Sequence, residues 1–413
     1  MSLHLFDAVG IELEYMIVDA ASLDVRPIAD HVLRDDQGNP VSDVDQGLIS
    51  WSNELASHVI ELKTNGPVQE IAPLAAEFQK NIQTLNRQFT SAHARLLPTA
   101  MHPWMDPDRE MQLWPHEYSA VYHLFDQIFN CRGHGWANLQ SMHINLPFSG
   151  DEEFGRLHAA IRLILPLLPG LAASSPVKEG VRTGVCDTRL DVYRSNAKAI
   201  PSVSGRVIPE QAYDSAAYDR EVFQPMFRDI APYDPEGLLQ EEFLNARGAI
   251  ARFGRGSIEI RVLDVQECPQ ADLAIAALTI AVLKMLVEET WTSTVEQQSV
   301  TIDSLEPILL AAIQYGDEAI VSDANVLRHF GCSATEMTLS GLWRELYVAA
   351  SERDPELFSR FSAPIETILT QGCLAHRILK ELNGQTGRHA LHEVYQRLAE
   401  CLETGESFRV VTQ

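Results

Sequence analysis

Residues 9–18 read VGIELEYMIV. Successive side chains of an extended chain point to opposite faces, so Ile11, Leu13 and Tyr15 fall on one side and Glu12 and Glu14 on the other. The stretch is therefore a strand with one apolar face and two adjacent carboxylates on the other. Such carboxylates repel unless something positive lies between or above them. The same spacing returns twice more. In SMHINLPF (141–148) His143 and Asn145 share a face, and in SIEIRVLDV (257–265) Glu259 and Arg261 do. Any one pair is what the wetted face of an antiparallel sheet presents. Three strands that repeat Glu and His instead of Thr, Lys and Ser favour a lined cleft. Carboxylate oxygens beside an imidazole suit a hard divalent cation, Mg²⁺ or Mn²⁺.

A fourth segment, NELASHVIELKTNGP (53–67), adds Glu54 and Glu61. Their spacing of seven would put them on opposite faces of one regular strand, and the β-branched HVIELKT does not read as a helix. A break near 56–58 is expected, with Glu54 on the preceding turn and Glu61 on the strand.

Composition bounds the class. The chain has 413 residues, with 32 Lys+Arg against 57 Asp+Glu and a formal charge of −25. No basic run offsets that charge, which argues against nucleic acid or an anionic membrane as partner. With 46% hydrophobic residues the chain can bury a sizeable core. Its six cysteines show no CxxC and no small-scaffold spacing, as expected of reduced thiols in the cytoplasm. The acidic start MSLHLFDAVGIELEY lacks the marks of an export signal. The longest apolar run, AIAALTIAVL (274–283), is half of the roughly 20 residues a bilayer requires.

Up to about residue 268 short β segments alternate with helical stretches such as 72–96 and 152–168. After Pro269 the pattern is almost wholly helical, with helices expected at 272–291, 303–316, 342–352, 364–383 and 388–403. The fold class is α+β: helices on one side of a largely antiparallel sheet, with a helical C-terminal third. Residues 1–413 are expected to form one catalytic unit, with a sheet-based core at 1–268 and a helical part at 269–413. The apolar face Leu273–Leu286 is expected to cap the sheet or to build a homodimer interface.

Other signatures are missing. There is no Walker loop, GxGxxG, GxSxG or HExxH. Cys131, His134 and His143 lack a second cysteine pair at zinc-ligand spacing. His102, His116, His123 and His158 read as surface or partly buried histidines, and Trp51, Trp104, Trp114, Trp136, Tyr193 and Tyr233 as core residues more than as a substrate cradle.

Taken in order, GIELEYMIVD (10–19), ELASHVIELKTNGP (54–67), MHINLPF (142–148) and RFGRGSIEIRVLDVQECP (252–269) resemble the glutamate–cysteine ligase family, in its second, bacterial carboxylate–amine ligase branch, within the glutamine-synthetase-like superfamily. LAASSPVKEGVRTGVCDTRLDVYRSN (171–196) is similar to that family's ASSP…G…TG…R loop. The resemblance spans about residues 8–270. It implies a curved antiparallel sheet backed by helices, with substrates and metal-bound ATP in the concave funnel. By position it implies that Glu14, Glu54 and Glu61 hold one Mg²⁺ facing an acyl phosphate. Glu12, His143 and Glu259 would hold a second on the nucleotide side, Arg261 would reach the phosphates, and Arg189 would bind a substrate carboxylate or the transferred phosphate. Two departures stand out. Asn145 replaces the second histidine of a His-x-His found in many members, and the stretch between Arg-Phe-Gly and Glu-x-Arg is longer.

The implied reaction is ATP-dependent amide formation through an acyl phosphate. L-glutamate and L-cysteine are the leading substrates, and γ-glutamylcysteine for glutathione the product. The alternatives are the same chemistry with another amine, a phosphotransferase that stops at a phosphorylated acceptor, and a non-catalytic nucleotide or amino-acid sensor.

Overall fold

The computed structural model describes residues 3–410; residues 1–2 and 411–413, at the ends of the two expected spans, lie outside it. Eight strands form its main sheet: β1 (Gly10–Asp19), β2 (Asp43–Asp45), β3 (Ile49–Asn53), β4 (Val59–Thr64), β5 (Ala94–Leu97), β6 (Ser141–Pro147), β7 (Ala249–Arg252) and β8 (Ser257–Asp264). Their order is β2-β3-β4-β1-β6-β8-β7, and β5 pairs with the far end of β1. Every pairing is antiparallel. This is an α+β architecture with a largely antiparallel sheet, as the interleaved strand and helix patterns predict.

One face of the sheet is sealed. Ile11, Leu13 and Tyr15 are wholly buried, as are Ile60, Leu62, Ile144 and Ile260 on the neighbouring strands. The covering layer includes α1 (Leu74–Phe89), α2 (Gly150–Ile164) and α4 (Pro269–Val287). A short helix, α3 (Thr188–Tyr193), belongs to the loop at 171–196. The helix α4 is long and apolar enough to cross a bilayer by composition alone, yet 78% of its apolar window is buried inside the chain. Leu273, Leu278, Leu283 and Leu286 are consumed by that packing. These leucines of the Leu273–Leu286 face are therefore spent on packing within the chain.

The helical third contains α5 (Pro355–Gln371), α6 (Leu374–Leu382) and α7 (Arg388–Thr404), together with a two-stranded ladder, Ile320–Val321 with Met337–Thr338. Two expected helices are redrawn. The helix expected at 72–96 stops at Phe89; a tight turn follows, His93 takes φ 51°, and Ala94–Leu97 turns back as β5. The helix expected at 364–383 is two helices, broken where Gly372 takes φ 94°. Pro364 is not a start signal but lies inside α5. Its ring leaves the Arg360 carbonyl without its helical donor, and the Gln270 side-chain amide donates to that carbonyl at 2.9 Å.

The helical part is tied to the sheet by charge as well as by apolar contact. Arg377 on α6 is fully buried and donates to Glu267 at 2.5 Å and to the Phe408 carbonyl at 2.6 Å. The Phe408 N–H in turn donates to Glu267 at 3.0 Å. Removing one partner strands a buried charge, which costs about 3–5 kcal/mol. Arg377→Met should lower unfolding stability by that amount in a denaturant titration. A loss under about 1 kcal/mol would mean that the pair holds nothing together.

Candidate functional site

The open face of the sheet collects the polar pairs. On β1, Glu12 stands opposite Lys63 of β4 and His143 of β6, while Glu14 stands opposite Glu61. Asn145 sits between Gly10 and Glu259. A side chain at Gly10 would press within 3.2 Å of the Asn145 Cβ, so the missing Cβ leaves room for the amide. The register of β8 on β6 shifts between Ile260 and Leu263, around Arg261. The expected break at 56–58 falls between β3 and β4, with Glu54 on the turn and Glu61 on the strand.

His143 is the hub. Its Nδ1 lies 2.7 Å from Glu12 and 3.8 Å from Glu259; its Nε2 lies 2.9 Å from the Ser141 hydroxyl and 3.7 Å from Glu14. Two groups of donors result, Glu12 with His143 and Glu259, and Glu14 with Glu61 and His143, each within 4.8 Å. Glu54 stands just outside the second group. It comes from the loop and faces Glu14 and Glu61 as a like charge.

The protein holds these carboxylates apart with its own donors. Glu12 accepts from Asn145 at 2.9 Å, so the amide that replaces a second histidine serves a carboxylate. Glu14 accepts from the Ser141 N–H at 2.7 Å. Glu61 accepts from Ser52 at 2.6 Å and lies 3.1 Å from Lys63. Glu259 is flanked by Arg252 and Arg261, each at 3.0 Å. Burial opposes the charge on Glu12, but the His143 hydrogen bond and cation overcome it and hold the carboxyl at about 2. Burial likewise opposes the His143 cation, and the Glu12 hydrogen bond with the Glu14 and Glu12 charges lifts it to about 9. Burial first, then the Glu12 charge, pushes Glu61 up to about 7 against the pull of Lys63. Glu54 is pushed well above the carboxylate range by burial and by Glu14 and Glu61.

A raised carboxyl costs stability once pH exceeds its unfolded value, because the unfolded chain ionises freely and the folded one does not. Glu54→Gln should therefore leave the chelator-treated protein at least as stable as the parent near pH 8 and change it little near pH 4. Thermal unfolding at both pH values tests this, and a large loss at pH 8 would show that Glu54 is a needed contact.

Two cavities meet at the carboxylates. The larger, about 700 Å³, is lined by Glu12, Glu61, Lys63, Asn145, Arg252 and Glu259 among others. The smaller, about 220 Å³, is lined by Glu14, Tyr122, Phe125, Trp136, Arg189 and Tyr193 among others. Glu54, His143 and Arg261 border both. Arg261 carries a buried Nε with no directed hydrogen bond, although it lies 3.0 Å from Glu259. Arg189 is almost fully buried, its Nε on Asp264 at 2.5 Å and its terminal nitrogens 3.4 Å from the Arg261 carbonyl. One edge of that guanidinium is committed to the fold and the residue still borders the smaller cavity.

Several residues were placed differently by sequence. Lys63 and Arg252 went unnoticed, although Lys63 shares the Glu61 face two positions on and Arg252 opens the RFGRG stretch. Trp136 and Tyr193 pack against the core and also line the smaller cavity; Trp51 and Trp114 are core, and Tyr233 is exposed. His102 and His158 are fully buried instead of partly so. His102 meets the Leu23 carbonyl at 2.7 Å and His158 stacks on Phe154. Burial lowers both, to about 4 and about 3, so they are neutral packing residues. His134 pairs with Glu179 at 3.0 Å and forms no metal group with Cys131 among the described residues.

The sequence matches Glutamate-cysteine ligase family 2 (GCS2) over residues 8–397, well past the 8–270 over which the motifs are recognisable by eye. An uncharacterized protein of Archaeoglobus fulgidus is 29% identical over 97% of this chain and 100% of its own length. A Nocardioides protein provisionally named glutamate–cysteine ligase 2-1 is 26% identical over 68% of each chain. Among solved structures, glutamate–cysteine ligase from Francisella tularensis in complex with AMP superposes with a TM-score of 0.63 at 14% identity, covering 98% of this chain and 90% of that one. The complex of the ubiquitin-like protein Pup with its ligase PafA gives 0.50 at 12% identity, covering 98% and 77%. The match over nearly the whole sequence places the chain in glutamate–cysteine ligase family 2, and it is an ATP-dependent ligase.

Proposed function

We propose that the chain joins a carboxylate to an amine, with L-glutamate and L-cysteine as the leading pair, through an acyl phosphate made at the junction of the two cavities. The observation that carries this reading is the pair of donor groups hinged on His143, with Arg261 bordering both cavities. The donors are carboxylate oxygens and one imidazole, which fits Mg²⁺ or Mn²⁺. Glu12, His143 and Glu259 would hold one ion, and Glu14 and Glu61, with Glu54 beside them, the other. Bound there, such ions neutralise phosphate oxygens and polarise the transferred group.

The chain's own side chains do the rest. Lys63, Arg252 and Arg261 give polyanionic ATP a positive lining in the larger cavity, within a protein of strongly negative charge. Arg189 and Arg261 hold an amino-acid carboxylate in the smaller one. The acceptor's γ-carboxylate oxygen attacks the γ-phosphorus and ADP leaves. The amine nitrogen then attacks the acyl carbon, inorganic phosphate leaves and one proton is lost from nitrogen. No protein nucleophile is needed, because positioning and charge complementarity carry the rate. Reduced thiols and a cytoplasmic location belong to the same reading.

The aromatic lining of the smaller cavity favours a second version, with an amine larger or more apolar than cysteine. ADP release by purified protein with Mg²⁺, ATP and glutamate, with and without cysteine and with products weighed by mass spectrometry, decides between them. Cysteine-dependent release with γ-glutamylcysteine formed supports the leading pair. Release indifferent to cysteine moves the assignment to other amines, and no release with bound ATP overturns the ligase chemistry.

A further inference from the structure

Away from the sheet, three side chains of different chemistry meet. Asp317 lies in a tight turn (Gly316–Glu318), Cys373 is the residue that opens α6, and His376 is in that helix's first turn. Their donor atoms all lie within 4.8 Å of one another. His376 Nδ1 is 2.6 Å from Asp317 Oδ1 and 3.8 Å from Cys373 Sγ, and the Cys373 N–H donates to the same Asp317 oxygen at 2.9 Å. Cys373-Leu374-Ala375-His376 is a Cys-x-x-His spacing, which on a helix start turns both side chains to one side.

The backbone is shaped to permit this approach. Gly316 takes φ 55°, and a Cβ there would sit 2.9 Å from Cys373 Sγ. Gly372 takes φ 94°, and a Cβ there would sit 3.2 Å from Asp317 Oδ1. On the far side of the imidazole, Nε2 lies 3.3 Å from Cys186 Sγ. That outer contact would remain when Nδ1 gives up its proton and turns its lone pair to an ion. Cys373 has no exposed surface, while Asp317 and His376 keep 12% and 15% of their side chains exposed, which leaves a way in.

We propose that Asp317, Cys373 and His376 Nδ1 form a second metal centre, for a zinc-class divalent ion with one coordination position left open. A thiolate, a neutral imidazole and a carboxylate are ligands of that class and not of Mg²⁺, so this centre differs in kind from the carboxylate cleft. Loading displaces two protons to solvent, one from the Cys373 thiol and one from His376 Nδ1, and leaves two ligand charges against the ion's two. The centre would clamp α6 to the Gly316–Glu318 turn, with Cys186 of the 171–196 loop against the far side of the imidazole. It stands independently of the reaction proposed above.

Cobalt reads the centre without any activity assay. Chelator-treated full-length protein titrated with Co²⁺ should gain a thiolate-to-cobalt band in the near ultraviolet, saturating at one ion per chain and abolished by Zn²⁺. Cys373→Ser should remove the band and weaken Zn²⁺ binding by roughly 100-fold or more. Asp317→Asn, which keeps the side-chain shape, should weaken Zn²⁺ by roughly 10-fold or more. Glu259→Gln should leave the band intact, since it belongs to the other site. A wild-type protein with native circular dichroism and no band overturns the proposal, as does a band that survives in Cys373→Ser.

Discussion

Glu12→Gln and Glu259→Gln should each lower ligase turnover by at least ~10²-fold while leaving the metal-free fold almost unchanged. The two consequences have separate causes. Each change removes one anionic oxygen donor from the Glu12–His143–Glu259 group, and an amide oxygen is a much poorer ligand for a hard cation. Stability is spared because the site is over-supplied with negative charge. When Glu12 becomes an amide, His143 still lies 3.7 Å from Glu14 and 3.8 Å from Glu259. When Glu259 becomes an amide, Arg252 and Arg261 keep the other carboxylates nearby. Steady-state rates at saturating Mg²⁺, with a thermal melt in chelator, separate the two. Full turnover by either variant would remove that residue from the cation site. A collapse of the melt would show that its carboxylate is structural.

Arg261→Met should cost turnover about 10²–10³-fold, the scale for losing one donor aimed at developing charge. The guanidinium borders both cavities, and its buried Nε makes no directed hydrogen bond within the protein. Its side chain keeps 27% of its surface exposed, against 2% for Arg189, so it presents more of its guanidinium to a ligand. Arg261→Lys should recover only part of the loss, because an ammonium cannot offer the planar fork. The informative readout is the division between kcat and KM. A fall in kcat with little change in the KM for ATP points to charge stabilised in the transition state. A rise in KM alone would reduce Arg261 to a ground-state contact.

The sheet and its polar face were legible because period-two patterning is local and strong. Glu12 with Glu14, His143 with Asn145 and Glu259 with Arg261 could each be assigned to one face of their strand from spacing, and the odd spacing of seven implied the break between Glu54 and Glu61. What escaped notice was set by contacts distant in sequence. The strands β2, β3, β5 and β7 have 3, 5, 4 and 4 residues, too short for a pattern to accumulate. β5 was absorbed into the preceding helix, because only the turn at His93 separates them. Pro364 suggested a helix start, since Gln270, which satisfies the Arg360 carbonyl that the proline orphans, lies 90 residues from that carbonyl along the chain. Lys63 and Arg252 carry no signal of their own in the sequence; pairing of the strands sets them beside Glu61 and Glu259. Asp317, Cys373 and His376 gave only a bare Cys-x-x-His, and the aspartate that completes the group comes from a different turn.

Acyl-phosphate formation is the central claim, and the fate of one oxygen atom tests it most directly. Glutamate, or whichever carboxylate substrate the product assay identifies, is supplied with a heavy oxygen isotope in its reacting carboxylate. The inorganic phosphate released during amide formation is then analysed by mass spectrometry. Attack of that carboxylate on the γ-phosphorus, followed by displacement at the acyl carbon, carries one labelled oxygen into each phosphate. Labelled phosphate formed in step with amide is the predicted result, and unlabelled phosphate accompanying a genuine amide product would contradict it.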